Sequence, residues 1–405
     1  MIVATAALAI LLSGCGPQVA DTTYVTSSDP ELGARVAALL PDLAARAKME
    51  LVKPIRAERR TREELESYLL HKLDEEFPPE EAALLTQAYS LVGLVDPGLD
   101  LRGLLASVYQ EQVAGFYDPD STALFVMDDM PEEMLEGVLI HELVHAVQDQ
   151  TANLDSLTAE ERGNDHQAAA QSAIEGHATL IMMEYMAEQQ SGQPVDLSQL
   201  PDISQLLGPA MEALRDQYPA LSSAPKIIQE ALLFPYLRGY SFVSALWQAQ
   251  EGRPAPFGPN LPQSTEQILR PSLAFGPEPD MPTDLELELD PGFEILYGNT
   301  FGQGEFEVLL EEHLGPDGRA LARGWDGDRY ALVRGPSGTE GLIWISVWDS
   351  PEERDGFVQG FRAAAAGFPT PGTLEETEVL ERPGAVLRIG VPAEISVEVR
   401  EKAGG

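Results

Sequence analysis

Five consecutive residues, His141-Glu142-Leu143-Val144-His145, carry the most specific chemistry in the sequence. On an α-helix, positions i and i+4 share a face, so both imidazoles can reach one cation. Glu142 follows the first histidine round the same turn. There its carboxylate can take a proton from a metal-activated water without itself being a ligand. A tetrahedral catalytic zinc needs a third protein ligand and leaves one position for water. The residues downstream that could supply it are Asp149, Asp165, His166, Glu175, His177 and Glu184. Asp149 lies one more turn along the same helix, too far along the axis to join both histidines on one ion. That position suits it to fixing an imidazole tautomer.

The elements that must position these groups are legible. Asp129, Met130 and Pro131 mark a helix start, and Glu132, Glu133 and Glu136 complement the positive end of its dipole. Leu135, Val138, Leu139 and Val147 then recur with helical spacing, which buries the motif in an amphipathic helix. This is the context that the H-E-x-x-H zinc motif of metalloproteases requires. A second helix is predicted from His166 to Gln190, with Asp165 as its N-cap. Its first half is dense in small residues (Ala168, Ala169, Ala170, Ser172, Ala173, Gly176), which lets two helix backbones approach closely. Glu175 and His177 stand about 200° apart round that helix, so only one can face the metal. Both stripes are apolar, and periodicity leaves the choice open.

The motif followed by Ile174-Glu175-Gly176 on a later helix resembles the gluzincin group of zinc metallopeptidases, whose third ligand is a glutamate. More closely, several stretches resemble an uncharacterised bacterial family of gluzincin-type lipoproteins. They are Gln112 through Pro119, His141 through Gln150, Ser264 through Leu269 and Gly324 through Tyr330. The resemblance implies one Zn²⁺ per chain held by His141, His145 and Glu175, with Glu142 as the general base of peptide-bond hydrolysis. His177 and Asp165 remain the alternatives for the third ligand. Just before the active-site helix, Gly115-Phe116-Tyr117 and Ala123 through Met127 flank Asp118-Pro119-Asp120-Ser121, which reads as a hairpin from its turn chemistry. In zincin-type proteases such a strand forms the edge along which a peptide substrate lies, a case of strand addition.

The chain has 405 residues, 44% hydrophobic and 7% aromatic, with a formal net charge of −40. It is long enough for two or three subdomains, and so acidic a surface excludes a nucleic-acid partner. Cys15 is the one cysteine. A disulfide within the chain and a cysteine zinc ligand are therefore not expected. Met1 to Leu12 is apolar, and Leu12-Ser13-Gly14-Cys15 resembles a bacterial lipobox. The run is too short to span a bilayer and suits a signal peptide. The implied form is cut before Cys15 and lipidated on its thiol. That gives an exported protein, lipid-anchored at the bacterial cell envelope, on the outer membrane or cell surface. No Lys or Arg precedes the apolar run, a departure from the usual signal pattern.

The fold class expected is α+β: a mainly helical zincin-like body, a small edge sheet before the active-site helix, and a small α+β C-terminal subdomain. Residues 1–15 read as signal peptide, 16–30 as tether, 31–107 as a helical region, 108–275 as the catalytic domain and 276–405 as the C-terminal subdomain. Arg56, Arg59, Arg60 and Arg62 form a basic cluster expected to pair with Glu58, Glu63 and Glu64. Gly192 to Pro225 is loop-rich, a cleft wall or lid. A third helix spans Ile227 to Gln250 and supplies candidates for oxyanion stabilisation. Tyr236 comes first, then Tyr240 and Arg238 from this helix, and His166 from the preceding one. Further on, Phe306 to Leu314 and Pro351 to Ala366 have helical spacing, and Tyr330 to Val333, Leu342 to Val347 and Ala385 to Ile389 read as strands. His313 reads as a helix-terminus charge, His71 as a surface histidine, and Gly324 to Asp328 as a tight turn whose acids could form a calcium loop. Two rival functions stand beside the peptidase: a non-catalytic binding or assembly lipoprotein, and a zinc hydrolase of a non-peptide amide.

Overall fold

The computed structural model describes residues 3–6, 24–159, 162–200, 218–392 and 395–402. Cys15 and most of the apolar N-terminal run lie outside them, as do residues 201–217 of the loop-rich stretch. Among the described residues no helix is long and apolar enough to cross a membrane.

The N-terminal half builds a five-stranded sheet with helices packed on it. In chain order it comprises β1 (Val3–Ala6), β2 (Val25–Thr26), α1 (Pro30–Ala47), β3 (Ile55–Arg60), α2 (Arg62–Glu76), α3 (Pro79–Leu91) and α4 (Leu101–Gln112). β4 (Val113–Asp118), β5 (Ala123–Met127), α5 (Glu132–Ala152), α6 (Leu154–Leu157) and α7 (Asn164–Ser191) follow. The sheet order is β1-β4-β5-β3-β2; β4 and β5 form the expected hairpin, and β3 runs parallel to β5. β3 is a correction to the all-helical reading of 31–107. Two arginines of the basic cluster pair with acids, as expected, though with others than Glu58, Glu63 and Glu64. Arg59 meets Asp29, Arg62 meets Asp129, and Arg60 stacks its guanidinium 4.5 Å from the Phe125 ring centroid.

Helix α5 starts after Pro131 with Glu132 and Glu133 in its first turn and stops at Asn153, which sits in the left-handed region at φ 51°. Its residues from Leu135 to Gln148 are buried on nearly every side, between β4 and β5 below and α1 and α7 beside it. Helix α7 runs for 28 residues and ends at Gly192, also left-handed.

The remaining elements are α8 (Pro219–Ser223), α9 (Lys226–Ala249), α10 (Thr265–Leu269), β6 (Leu285–Leu289), β7 (Glu294–Asn299), α11 (Gly302–Leu314), β8 (Trp325–Arg334), β9 (Glu340–Trp348), α12 (Pro351–Ala366), β10 (Gly372–Val379), β11 (Arg382–Ile389) and β12 (Val397–Glu401). β7 to β11 form an antiparallel sheet in the order β10-β11-β9-β8-β7, and β12 pairs with β6 as a separate ribbon. The fold is α+β, as the sequence implied. Stacked aromatics, Phe306, Trp344, Trp348, Phe357 and Phe361, fill the space between that sheet and its helices. Ala88 and Tyr89 of α3 and Ile227 and Ile228 of α9 join the same core.

Three enclosed carboxylates organise the fold, and two of them, Asp165 and Glu305, tie the halves together. Asp328 accepts from the backbone N–H groups of Phe301 and Gly302 and from the indoles of Trp325 and Trp344, at 2.8–3.1 Å. Asp165 accepts from the backbone and hydroxyl of Thr265, whose oxygen accepts in turn from Gly304. Glu305 accepts from the Tyr89 hydroxyl and the Asn164 amide, both at 2.7 Å. Gly302 at φ 63° brings its backbone so close to Asp165 that a Cβ there would lie 1.8 Å from the carboxylate oxygen. Of Gly324 to Asp328, only Gly324, at φ 77°, lies in a turn; Trp325 to Asp328 open β8. Asp165 is not the N-cap of α7, which is Gly163. Asp326 and Asp328 share no cation, since Asp328 is taken up by four N–H donors.

Candidate metal centre

Helices α5 and α7 bring three side chains to one point. Nε2 of His141 lies 2.9 Å from Nε2 of His145 and 3.0 Å from Oε2 of Glu175, and Nε2 of His145 lies 3.3 Å from that oxygen. All three residues are buried. Two imidazole nitrogens and a carboxylate oxygen facing each other this closely form a donor set that a proton or a cation satisfies, and it is one that zinc accepts. The spacing fits a single ion, because the ligand atoms all lie within 4.8 Å of one another.

The electrostatics agree. Burial would raise the Glu175 carboxyl, but the charge on His145 and hydrogen bonds from both imidazoles hold it down at about 2. Burial draws His141 below its ordinary value. His145 is drawn down by burial too, yet the Glu175 charge more than reverses this and leaves it raised. Without a metal the Glu175 charge thus favours the protonated form of His145. Glu142 sits beside them, buried, with no side chain hydrogen-bonded to either oxygen among the described residues; the Tyr117 backbone lies close enough to favour its charged form slightly. Burial pushes its carboxyl up to about 8, near neutrality, where a general base works best.

Two glutamines that the sequence reading passed over hold the ligands. Gln148 accepts from Nδ1 of His145 at 2.8 Å, and Gln171 donates to Oε1 of Glu175 at 2.7 Å. Their signal was present: Gln148 is three residues after His145 and Gln171 four before Glu175, both on the ligand's own helix face. Asp149 does not take the tautomer-fixing role. It accepts from the Tyr117 hydroxyl and the Leu154 backbone instead.

The other sequence candidates fall elsewhere. His177 points away from the cluster, with Nδ1 at 3.1 Å from Gln148 and its ring edge-on to Trp247 and Phe257. Burial drops its pKa to about 3. Asp165 is held by Thr265, and Glu184 by Arg253. His166 packs its Nδ1 3.3 Å from the Gln263 carbonyl, nine residues and about 13 Å along the helix from Glu175. Tyr240 donates to the Leu197 carbonyl. Tyr236 reaches the site: its hydroxyl hydrogen-bonds Glu175, and its ring centroid lies 6.1 Å from that of His141. Desolvation and the Glu175 and Glu142 charges keep the hydroxyl protonated, as a donor.

Tyr236 is delivered by a backbone-to-backbone crossing of α7 and α9. A Cβ added to Gly176 would lie 2.0 Å from the carbonyl carbon of Gly239, and one on Gly239 would lie 2.0 Å from the Ser172 oxygen. Small residues do permit close approach here, but against α9 rather than α5. A cavity of about 790 Å³ opens between α2, α4, the start of α7 and β7, lined in part by Tyr109 and Gln167. The cluster residues do not line it. Gln167, Gln171 and Glu175 follow at four-residue steps on one face of α7, which places Glu175 about 12 Å along the helix from the cavity wall at Gln167.

His313 donates from Nε2 across the fold to the Val92 carbonyl at 2.7 Å, and His71 is exposed beside Glu75. A second carboxylate group, Asp280, Asp326 and Asp349, gathers where Asp326 already pairs with Arg382 and Thr283.

Residues 103–203 match the model of a family described as "Putative metallopeptidase family (DUF6782)". The match covers α4 through α7 and so includes His141, Glu142, His145 and Glu175. It supports a metal-dependent peptidase. Residues 295–400, which hold the C-terminal sheet, match a domain of unknown function (DUF8575). No curated protein and no solved structure matches the chain.

Proposed function

We propose that the chain is a zinc-dependent peptidase of gluzincin type. The observation that carries this is the convergence of His141, His145 and Glu175 within 4.8 Å of one another, beside a buried Glu142 that no side chain takes up among the described residues. One zinc held by those three side chains supplies Lewis acidity to a water molecule and to the scissile carbonyl. Glu142 takes the proton of the attacking water and delivers it to the leaving amine. The Tyr236 hydroxyl donates to the oxyanion as charge builds there. Gln171 and Gln148 keep the ligand side chains in place. An intact Glu142 favours catalysis over a purely structural site, which has no use for a base at that position.

The substrate is a peptide or protein lying along β4, and the chain acts at the cell envelope through a lipid on Cys15. In the structure the outer edge of β4 is paired antiparallel by β1, with Val3 opposite Tyr117. Cleavage before Cys15 removes β1 and leaves that edge open to an extended substrate, in the manner of strand addition.

Metal analysis of purified protein, with hydrolysis of a peptide library, tests this reading. About one zinc per chain is expected, lost in His145→Ala and lowered in Glu175→Ala. Glu142→Gln should keep the zinc and lose turnover by about 10²-fold or more. Full activity of Glu142→Gln, or no metal uptake at all, would move the assignment to a binding lipoprotein.

A further inference from the structure

Gln148 is not a ligand, yet its hydrogen bonds are more constrained than those of any side chain that is. Its amide nitrogen lies 3.1 Å from the Ile174 carbonyl oxygen, which can only accept. The NH₂ group of Gln148 must therefore face α7, and its oxygen must face the other way. That oxygen lies 2.8 Å from Nδ1 of His145. A carbonyl oxygen only accepts, so Nδ1 of His145 must carry a hydrogen. A neutral His145 then has its lone pair on Nε2, the atom that faces His141 and Glu175. The second amide hydrogen of Gln148 points to Nδ1 of His177 at 3.1 Å, which accepts it. His177 thereby carries its own hydrogen on Nε2. Its ring packs edge-on to Trp247 and Phe257.

We infer that Gln148 is a positioning residue for the metal: it reads the backbone of α7 at Ile174 and fixes His145 in the tautomer that offers Nε2 to the cation. This rests on the zinc-site reading above. It adds that the preference is imposed from α7, the helix that also carries Glu175, one residue beyond Ile174. The two helices are thus linked twice, once through the ligands and once through the amide. A shift of α7 against α5 changes the carboxylate and the tautomer lock together. The outer partners of metal-bound histidines are usually carboxylates, backbone carbonyls or water. A neutral amide does the same orienting without adding a second negative charge beside Glu142 and Glu175.

Zinc affinity measured by chelator competition on the folded full chain tests this, with Gln148→Met and Gln148→Glu beside the unaltered protein. Methionine keeps the length and apolar body of the side chain but accepts nothing from Nδ1. Zinc binding should weaken by about 10- to 100-fold. Glutamate restores the acceptor, so affinity should return to within about tenfold of the unaltered protein. In nitrogen-15 histidine spectra of the zinc-loaded proteins, the Nδ1-bound proton of His145 should be seen with glutamine and with glutamate, and lost to exchange with methionine. If Gln148 only fills space, methionine will bind zinc like the unaltered protein and glutamate will be the worse variant; that order overturns the inference and leaves the zinc site standing. If the unaltered chain takes up no zinc, the site assignment fails and this inference with it.

Discussion

The crossing of α7 and α9 is the tightest backbone contact near the metal centre, and a single methyl group probes it. In Gly176→Ala the new Cβ would sit 2.0 Å from the Gly239 carbonyl carbon, 2.2 Å from its oxygen and 2.6 Å from its Cα. None of these atoms belongs to a side chain that could turn aside. Ordinary contact begins near 3.4 Å, so the helices must part by about 1.4 Å. That exceeds the roughly 0.5 Å spread of a good hydrogen bond, and the Tyr236 to Glu175 bond should break with it. Alanine favours a helix interior over glycine by about 1 kcal/mol. Overpacking a core costs about 1–3 kcal/mol, and a backbone-to-backbone clash belongs at the upper end. The net expectation is a loss of about 1–2 kcal/mol in urea unfolding, together with weaker zinc binding. Gly356 in α12 supplies the control, because a Cβ there meets nothing within 4 Å. Gly356→Ala should stabilise by about 0.5–1 kcal/mol, the opposite sign for the same change of atoms. A Gly176→Ala protein as stable as its parent would refute the contact argument.

Two further outcomes follow from the buried carboxylates. Burial raises Asp165 from 3.8 to about 7 and Glu305 from 4.5 to about 7. Between pH 4 and 7 the folded chain keeps protons that the unfolded chain releases, so stability falls as pH rises through that window. At ~1.36 kcal/mol per pH unit, Asp165 accounts for at most about 4 kcal/mol of the fall. Asp165→Asn should flatten the profile of unfolding free energy against pH, and a variant profile parallel to the parent's would contradict the assignment. Asp328→Leu strands four N–H donors in the core at roughly 1 kcal/mol or more each. It should cost about 4 kcal/mol or fail to fold, and a loss below about 1 kcal/mol in guanidinium unfolding would show that those bonds contribute little.

The parts of the site that depend on one helix were legible in the sequence. The i, i+4 spacing of His141 and His145 and the position of Glu142 needed no partner to be read. The third ligand lay beyond local pattern, because Glu175 and His177 both stand on apolar faces of α7. What separates them is α5: Gln148 takes up His177, and the cluster takes Glu175. Strand β3 was missed because Arg56, Arg59 and Arg60 hide its alternation. In the fold, Arg56 and Arg60 lie over the Phe125 ring of the neighbouring strand, so their guanidinium groups behave as part of the sheet surface. Likewise Asp165 and Asp328 sit in sequences that suggest a cap and a turn. Their acceptors are filled by residues 100 and 26–27 positions away, which no local rule anticipates.

The seam held by Asp165 and Glu305 bears on how the chain would respond to being cut. Residues 276–281 are mostly exposed, with Met281 55% accessible, and they link the part of the chain that holds the metal centre to the C-terminal sheet. A protease would find that link first. The fragments would still be joined by Thr265 on Gly304, Asn164 and Tyr89 on Glu305, and the aromatic core that α3 and α9 share with β8 and β9. The two regions matched to separate families therefore form one mechanical body here. A nick between them would change the bands on a denaturing gel and leave the elution volume of the native protein where it was.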